Sequence, residues 1–291
     1  MFIEEIEGEC LDRVQLDLFS WDRIKVGEGF NALAMLELQA AAAIFEDILQ
    51  KWHGYPDAVA GHRMAFDWLD FLKKTETLKK EDAVIFLWEK IKSYSFGQGG
   101  QMLRKGLIQR IITLLEGDYC FYISPDLCLG CLYMEIAEYS KAEEALKMLA
   151  EQHSRDGKIL VYLGNCLWLR GRTAEARAIY AKALLTSPWD MKLEEFTDKE
   201  LVDVIVEEDI YMAPIYGWLR RILPLIDIDI EEPHDKNHEW LLMIYNTVKL
   251  AEKARLQNDH KKMVEMRRLL KESEPAVFLE YMGRISSQHP K

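Results

Sequence analysis

The pair Leu129-Gly130 recurs 34 residues later as Leu163-Gly164, and Ala142 recurs at the same distance as Ala176. A recurrence of that length constrains the fold more than any composition does. Each unit must be one small supersecondary element that buries its apolar face against its neighbour. Size class also matches at Tyr133 with Leu167, Ala137 with Gly171, and Leu146 with Tyr180. In the second copy, residues 159–170 read as a largely apolar helix. Gly171 ends it, since glycine adopts the left-handed conformation without penalty. Thr173 is expected to cap the next helix, "TAEARAIYAKALL", with Glu175 in its first turn favoured by the helix dipole. Ser187-Pro188 reads either as a stop or as a cap followed by proline in another first turn. The first copy repeats the plan: Ser124-Pro125 begins the helix "DLCLGCLYMEIAEY", and "SKAEEALKMLAEQ" follows after a short turn. Each copy therefore predicts two antiparallel helices joined by a tight turn.

A leucine-glycine pair, an aromatic three residues on, alanine-x-x-x-aromatic and a late proline resemble the tetratricopeptide repeat (TPR) family. Leu163-Gly164, Leu167, Ala176, Tyr180 and Pro188 carry the resemblance in one unit, with Leu167 replacing the aromatic. Leu129-Gly130, Tyr133, Ala142 and Leu146 carry it in the other, with Ser154 where proline would fall. Small residues let two helices approach and large ones fill the space between them. The resemblance implies an all-α fold, a right-handed solenoid of antiparallel helix pairs.

Outside residues 123–188 the likeness thins. Gly29 with Ala41-x-x-x-Phe45 reproduces the 12-residue glycine-to-alanine interval. Leu250-Ala251, Ala254 and Pro275 fit a degenerate unit, with Met263 and Arg267 in place of the alanine and the aromatic. The organisation expected is a divergent N-terminal helical region (1–122), two repeats (123–190), an irregular helical insertion (191–238), and a degenerate repeat with a capping helix (239–291), in one continuous solenoid. The last helix is "PAVFLEYMGRI". The N-terminal segments "DAVAGHRMAFDWLDFLKK", "KKEDAVIFLWEKIKSY" and "QMLRKGLIQRIITLL" carry apolar residues at helical spacing. Strand-like alternation occurs in "LPLIDIDI", read as a short extended connection near Leu225–Ile230.

The chain holds 37 basic and 49 acidic residues, a net charge of −12. That balance repels phosphate backbones and anionic lipid, so neither nucleic acid nor membrane is an expected partner. Cys10, Cys120, Cys128, Cys131 and Cys166 are too few and too irregular for a secreted disulfide framework. The acidic start "MFIEEIEGEC" is no secretory signal, and the apolar stretch "FNALAMLELQAAAAIF" is too short and too polar to cross a bilayer. A cytoplasmic protein is predicted.

Candidate chemistry is sparse. Cys128 and Cys131 form a C-x-x-C inside a predicted repeat helix, without a second ligand pair, and read as small buried residues. His234 and His238 would share one face of a helix and could bind a divalent metal, yet they read first as polar residues before a helix start. "FGQGGQMLRKG" lacks the terminal G-K-[ST] of a phosphate-binding loop and reads as a helix–helix connection. No catalytic residue, cofactor or metal ligand is assigned. The acidic runs "IEEIEGE", "VEEDI" and "DIDIEE" read as solvated faces, with attraction of a basic partner as the other reading.

In the TPR family the first helices of successive repeats line a concave groove that receives a peptide or helix of another protein. Carried over to this sequence, the groove positions are Leu127, Cys131 and Met134 in one repeat and Lys158, Val161, Asn165 and Trp168 in the next. Asn165 is expected to bond an extended ligand's backbone; Trp168 either buries a ligand side chain or packs on a neighbouring helix. Leu127 and Cys131 stand where a chaperone-tail clamp would need lysine and asparagine, which argues against that ligand. A more apolar groove suits an amphipathic helix of a partner, or a segment of the protein's own chain. The function implied is a scaffold or adaptor binding a protein or peptide partner, with no enzymatic activity. A metal- or small-molecule-binding enzyme or sensor with its site in 191–238 is the alternative, and self-association through exposed repeat ends is a third reading.

Overall fold

A computed structural model describes residues 21–286, apart from Gln98, Glu116, residues 118–120 and Glu231. The acidic run at residues 3–9, Cys10 and Cys120 lie outside the described residues. The chain divides into two compact units, Met1–Tyr119 and Cys120–Lys291. The all-α expectation holds in both.

In the first unit, helix α1 occupies residues 21–34, followed by α2 (Leu38–Lys51), α3 (Pro56–Thr75), α4 (Lys80–Ser93) and α5 (Gln101–Leu114). From α2 to α5, consecutive helices pack together. Phe45 of α2 fits between two glycines: a Cβ on Gly29 would fall 2.6 Å from its ring, and one on Gly61 2.3 Å from it. The Gly29–Phe45 spacing read from the sequence is thus a real close approach. Further along, Trp68 is fully buried and stacks on Phe96 with 5.6 Å between ring centroids.

The second unit opens with a correction. Ser124-Pro125 does not start a helix; it lies in the turn of a short antiparallel hairpin, β1 (Tyr122–Ser124) with β2 (Leu127–Cys128). The Ser124 hydroxyl donates to the Asp126 carboxylate at 2.6 Å, proline suits the turn, and the Tyr122 hydroxyl anchors β1 to Asp156. Helix α6 (Leu129–Glu135) is accordingly only two turns long. Then follow α7 (Tyr139–Gln152), α8 (Gly157–Leu169) and α9 (Thr173–Thr186), each packed on the preceding one. Thr173 is the first residue of α9 rather than its cap, and no side chain caps that end. Two 3-10 turns (Pro188–Asp190 and Leu193–Glu195) lead to α10 (Lys199–Glu208) and α11 (Ala213–Leu219). Residues 224–230 belong to neither a helix nor the described sheet. Burial alternates along them, with Ile226, Ile228 and Ile230 half-buried and Asp227 and Asp229 exposed, the pattern an extended connection would give. Last come α12 (Lys236–Leu256), α13 (His260–Ser273) and α14 (Pro275–Ser286), which packs against α11 and α13.

One turn recurs through both units. Helices α1, α6, α8, α11 and α12 end in the same pair of hydrogen bonds, one amide reaching back three residues and the next reaching back five. In the order of those helices, the pivot is Leu36, Ala137, Gly171, Arg221 and Asn258, each at positive φ between 55° and 77°. This double-bonded C-cap is the usual home of glycine, which only Gly171 supplies. Asn258 tolerates the left-handed conformation, whereas Leu36, Ala137 and Arg221 bear about 1 kcal/mol or more of steric strain in it, and the helix-to-helix packing holds them there.

Candidate partner-binding site

The two central hairpins are spaced by the residues that recur. A Cβ on Gly130 would lie 2.4 Å from Leu146, and one on Gly164 would lie 2.4 Å from Tyr180. Ala142 and Ala176 are wholly buried at the same interfaces. Both glycines are needed because no side chain fits between the paired helices.

The next residue, Asn165, is 7% exposed and fully engaged. Its Oδ1 accepts from the Tyr180 hydroxyl at 2.6 Å and from the Thr197 amide at 3.1 Å, while Nδ2 donates to the Glu195 carbonyl at 2.7 Å. Burial pushes the Tyr180 hydroxyl above its ordinary range, so it stays a donor. Phe196 packs edge-on against the Tyr180 ring at 5.6 Å, and Asp198 caps α10 while pairing with Arg177 at 2.7 Å. At the other end of α8, Lys158 reaches Asp190 at 3.2 Å. The protein's own connection from α9 to α10 therefore lies against this face and takes the backbone contacts that a ligand would make with Asn165.

The seven carried-over positions consequently separate. Leu127 is buried in β2 rather than on a helix, and Cys131 and Val161 are buried too. Lys158 and Asn165 bond residues 190–197. Met134 and Trp168, equivalent positions of the successive units, stay half-buried. The Arg177 guanidinium stands over the Trp168 ring, 5.5 Å from its centroid, an attraction of about 0.5–1 kcal/mol at a partly wet site. The sequence signal for the covering segment was faint: Phe196 is an isolated aromatic, and Asp198 ahead of Lys199–Glu208 is a capping pattern.

A charge cluster that the sequence did not reveal ties the repeats together. The carboxylate of Glu143 on α7 is 7% exposed and meets Arg170, Arg172 and Lys147. Burial alone would raise its pKa. Hydrogen bonds from Lys147 and Arg172, and the fields of both cations, outweigh burial and hold it at about 2. Arg172 also clamps Glu175, so the turn between α8 and α9 is fastened on both sides.

The remaining candidates have ordinary partners. Cys128 is not inside a helix; it caps α6 and accepts from the Cys131 amide at 3.5 Å. The Cys131 thiol donates to the Pro125 carbonyl at 3.0 Å, and burial pushes its pKa well up, so it is held neutral. Cys166 donates likewise to the Tyr139 carbonyl, and burial raises its thiol to about 11. His234 precedes α12, so the two histidines do not share a helical face. His238 is buried: its Nδ1 accepts from the His234 amide at 3.0 Å and its Nε2–H donates to the Leu185 carbonyl at 2.7 Å. With both nitrogens committed, His238 fastens the start of α12 to the end of α9. Among the described residues no group of three histidine, cysteine or acidic side chains could hold a metal ion, and no helix is long and apolar enough to cross a membrane.

Comparison with curated proteins and with solved structures returned no match. The family model described as tetratricopeptide repeat matches residues 128–190, from the cap of α6 to the first 3-10 turn, and that family suggests a protein-interaction scaffold role. Over the segment built from α6 to α9, with its glycine-spaced hairpins and its 34-residue register, the chain is therefore similar to the tetratricopeptide repeat family.

Proposed function

We propose that this protein is an interaction scaffold that receives a peptide or helix of a partner protein on the repeat face carrying Met134 and Trp168. The observation that carries the reading is the half-buried pair itself. Two large, polarisable side chains occupy one position in successive repeats, while the neighbouring Lys158 and Asn165 are already bonded to the protein's own residues 190–197. A site built this way offers an apolar anchor of limited area, which suits a partner helix with one or two large apolar residues. Chemistry belongs to the partner on this reading.

The test is capture from the source-cell lysate by the wild type and by Trp168→Ala, each first shown to have the same melting curve. A partner retained by the wild type and lost by the folded variant supports the proposal. Equal capture by both removes binding from this face. Asn165 is left intact in this test, because its bonds are internal to the protein.

A further inference from the structure

A cleft of about 700 Å3 lies between the end of α9 and the extended segment 224–230, away from Met134 and Trp168. Its second wall is the run Asp227, Ile228, Asp229 and Ile230. Along that run the isoleucines are half-buried and the aspartates exposed, so they point to opposite sides. Consecutive residues from both sides line the cleft, the pattern expected where the backbone edge of a segment, rather than one face, borders it. The Tyr245 hydroxyl pins the start of the segment, accepting from the Ile226 amide at 2.8 Å and donating to its carbonyl at 3.3 Å. Beyond that point, among the described residues, no backbone hydrogen bond engages residues 227–230.

Part of the remaining lining is also uncommitted. Trp189 is 39% exposed and stacks on His234, with ring centroids 4.0 Å apart and planes 14° apart. Asp227 pairs with Lys249, but Asp229 and Glu232 have no ion-pair partner among the described residues, nor do Arg155 and Lys182 on the facing wall.

We propose that this cleft receives an extended peptide of a partner protein, added as a strand to the 227–230 edge, with apolar residues on its inner side and lysine or arginine on its outer side. An added strand shares the alternation of its template. Its inner side chains fall beside Ile228 and Ile230 and over the Trp189 platform. Its outer ones fall opposite Asp229, where an opposite charge forms a favourable cross-strand pair. Glu232 extends the acidic rim, and Arg155 and Lys182 face the peptide's far edge, whose carbonyls accept from them. The surface is separate from the Trp168 face, so the two readings stand or fall independently.

The test uses the full chain and a blocked octapeptide of alternating valine and lysine, followed by fluorescence anisotropy. Two further versions are N-methylated on odd and on even residues; they keep charge and composition but each blocks one edge. Strand addition predicts that the parent peptide binds and that one methylated version binds about tenfold or more weaker than the other. It also predicts at least about a tenfold loss for the doubly substituted chain Asp229→Lys, Glu232→Lys, whose changes lie at exposed positions. Absence of binding by the parent peptide, equal binding of the two methylated versions, or unchanged binding by the charge-reversed chain would overturn the proposal.

Discussion

Replacing Asn165 by leucine keeps the branched heavy-atom shape, at some gain in volume, and removes all the polar bonds. The Tyr180 hydroxyl, fully buried, then loses its acceptor, at a cost of about 1–3 kcal/mol. The Thr197 amide and Glu195 carbonyl belong to half-buried residues, where water replaces part of each bond, so they add about 0.5–1 kcal/mol each. Burying leucine in place of an amide returns about 1 kcal/mol. The net is a loss of about 1–4 kcal/mol. The informative comparison is with Tyr180→Phe in the same chain, since removing the stranded hydroxyl should recover at least about 1 kcal/mol. Urea denaturation supplies the four stabilities of the cycle. Hydrogen exchange at the Thr197 amide supplies the local readout, because that proton is held by Asn165 Oδ1. Exchange there should accelerate in Asn165→Leu more than at α9 core amides. Unchanged exchange at Thr197, or strictly additive effects of the two substitutions, would refute the account of Asn165 as the fastener of its own chain.

Three further outcomes follow from the packing and the charges. Gly164→Ala should destabilise by about 2–3 kcal/mol and Gly130→Ala by less, because the first new Cβ meets a Tyr180 ring fixed at its hydroxyl whereas the second meets a leucine that can rotate; thermal melts of both variants check the order. Ala137→Gly should raise stability by up to about 1 kcal/mol and Gly171→Ala should lower it by about as much, since both pivots sit at positive φ and only one is glycine. The Glu143 carboxylate is held at about 2, below its ordinary 4.5, so its contribution is present in full above pH 4.5 and is lost as pH falls through about 2. Its cations are a third to a half exposed, so the amount is discounted to about 1–2 kcal/mol. In Glu143→Gln the acid-limb loss of stability should shrink by that amount, and an unaltered acid limb would contradict the assignment.

The repeat segment was legible because its constraints are local and periodic. Gly130 with Leu146, Gly164 with Tyr180 and Gly29 with Phe45 are all sixteen residues apart, and each marks a close approach that only a missing side chain permits. Three features were not legible, each for a physical reason. The hairpin at 122–128 displaced an expected helix because an Asp126 hydrogen bond and the Tyr122 anchor to Asp156, 34 residues away, outweigh helical periodicity. The turns after α1, α6, α11 and α12 carried no glycine to announce them, since packing holds Leu36, Ala137 and Arg221 in a conformation they do not favour alone and Asn258 tolerates it without glycine's freedom. The groove residues matched by position, but what lies against them depends on contacts 30 and 32 residues along the chain, from Asn165 to Glu195 and Thr197. Sequence spacing finds the face of a repeat helix; only tertiary structure tells what already occupies it.

The most direct measurement of the scaffold reading is site-specific photo-crosslinking in the source cell. A benzophenone side chain is placed in turn at Met134, at Trp168, and at Met148, an exposed position on α7 that is not among the carried-over groove positions. The account predicts one protein adduct of the same mass at positions 134 and 168 and none at 148. Adducts at all three positions alike, or at 148 alone, would contradict it.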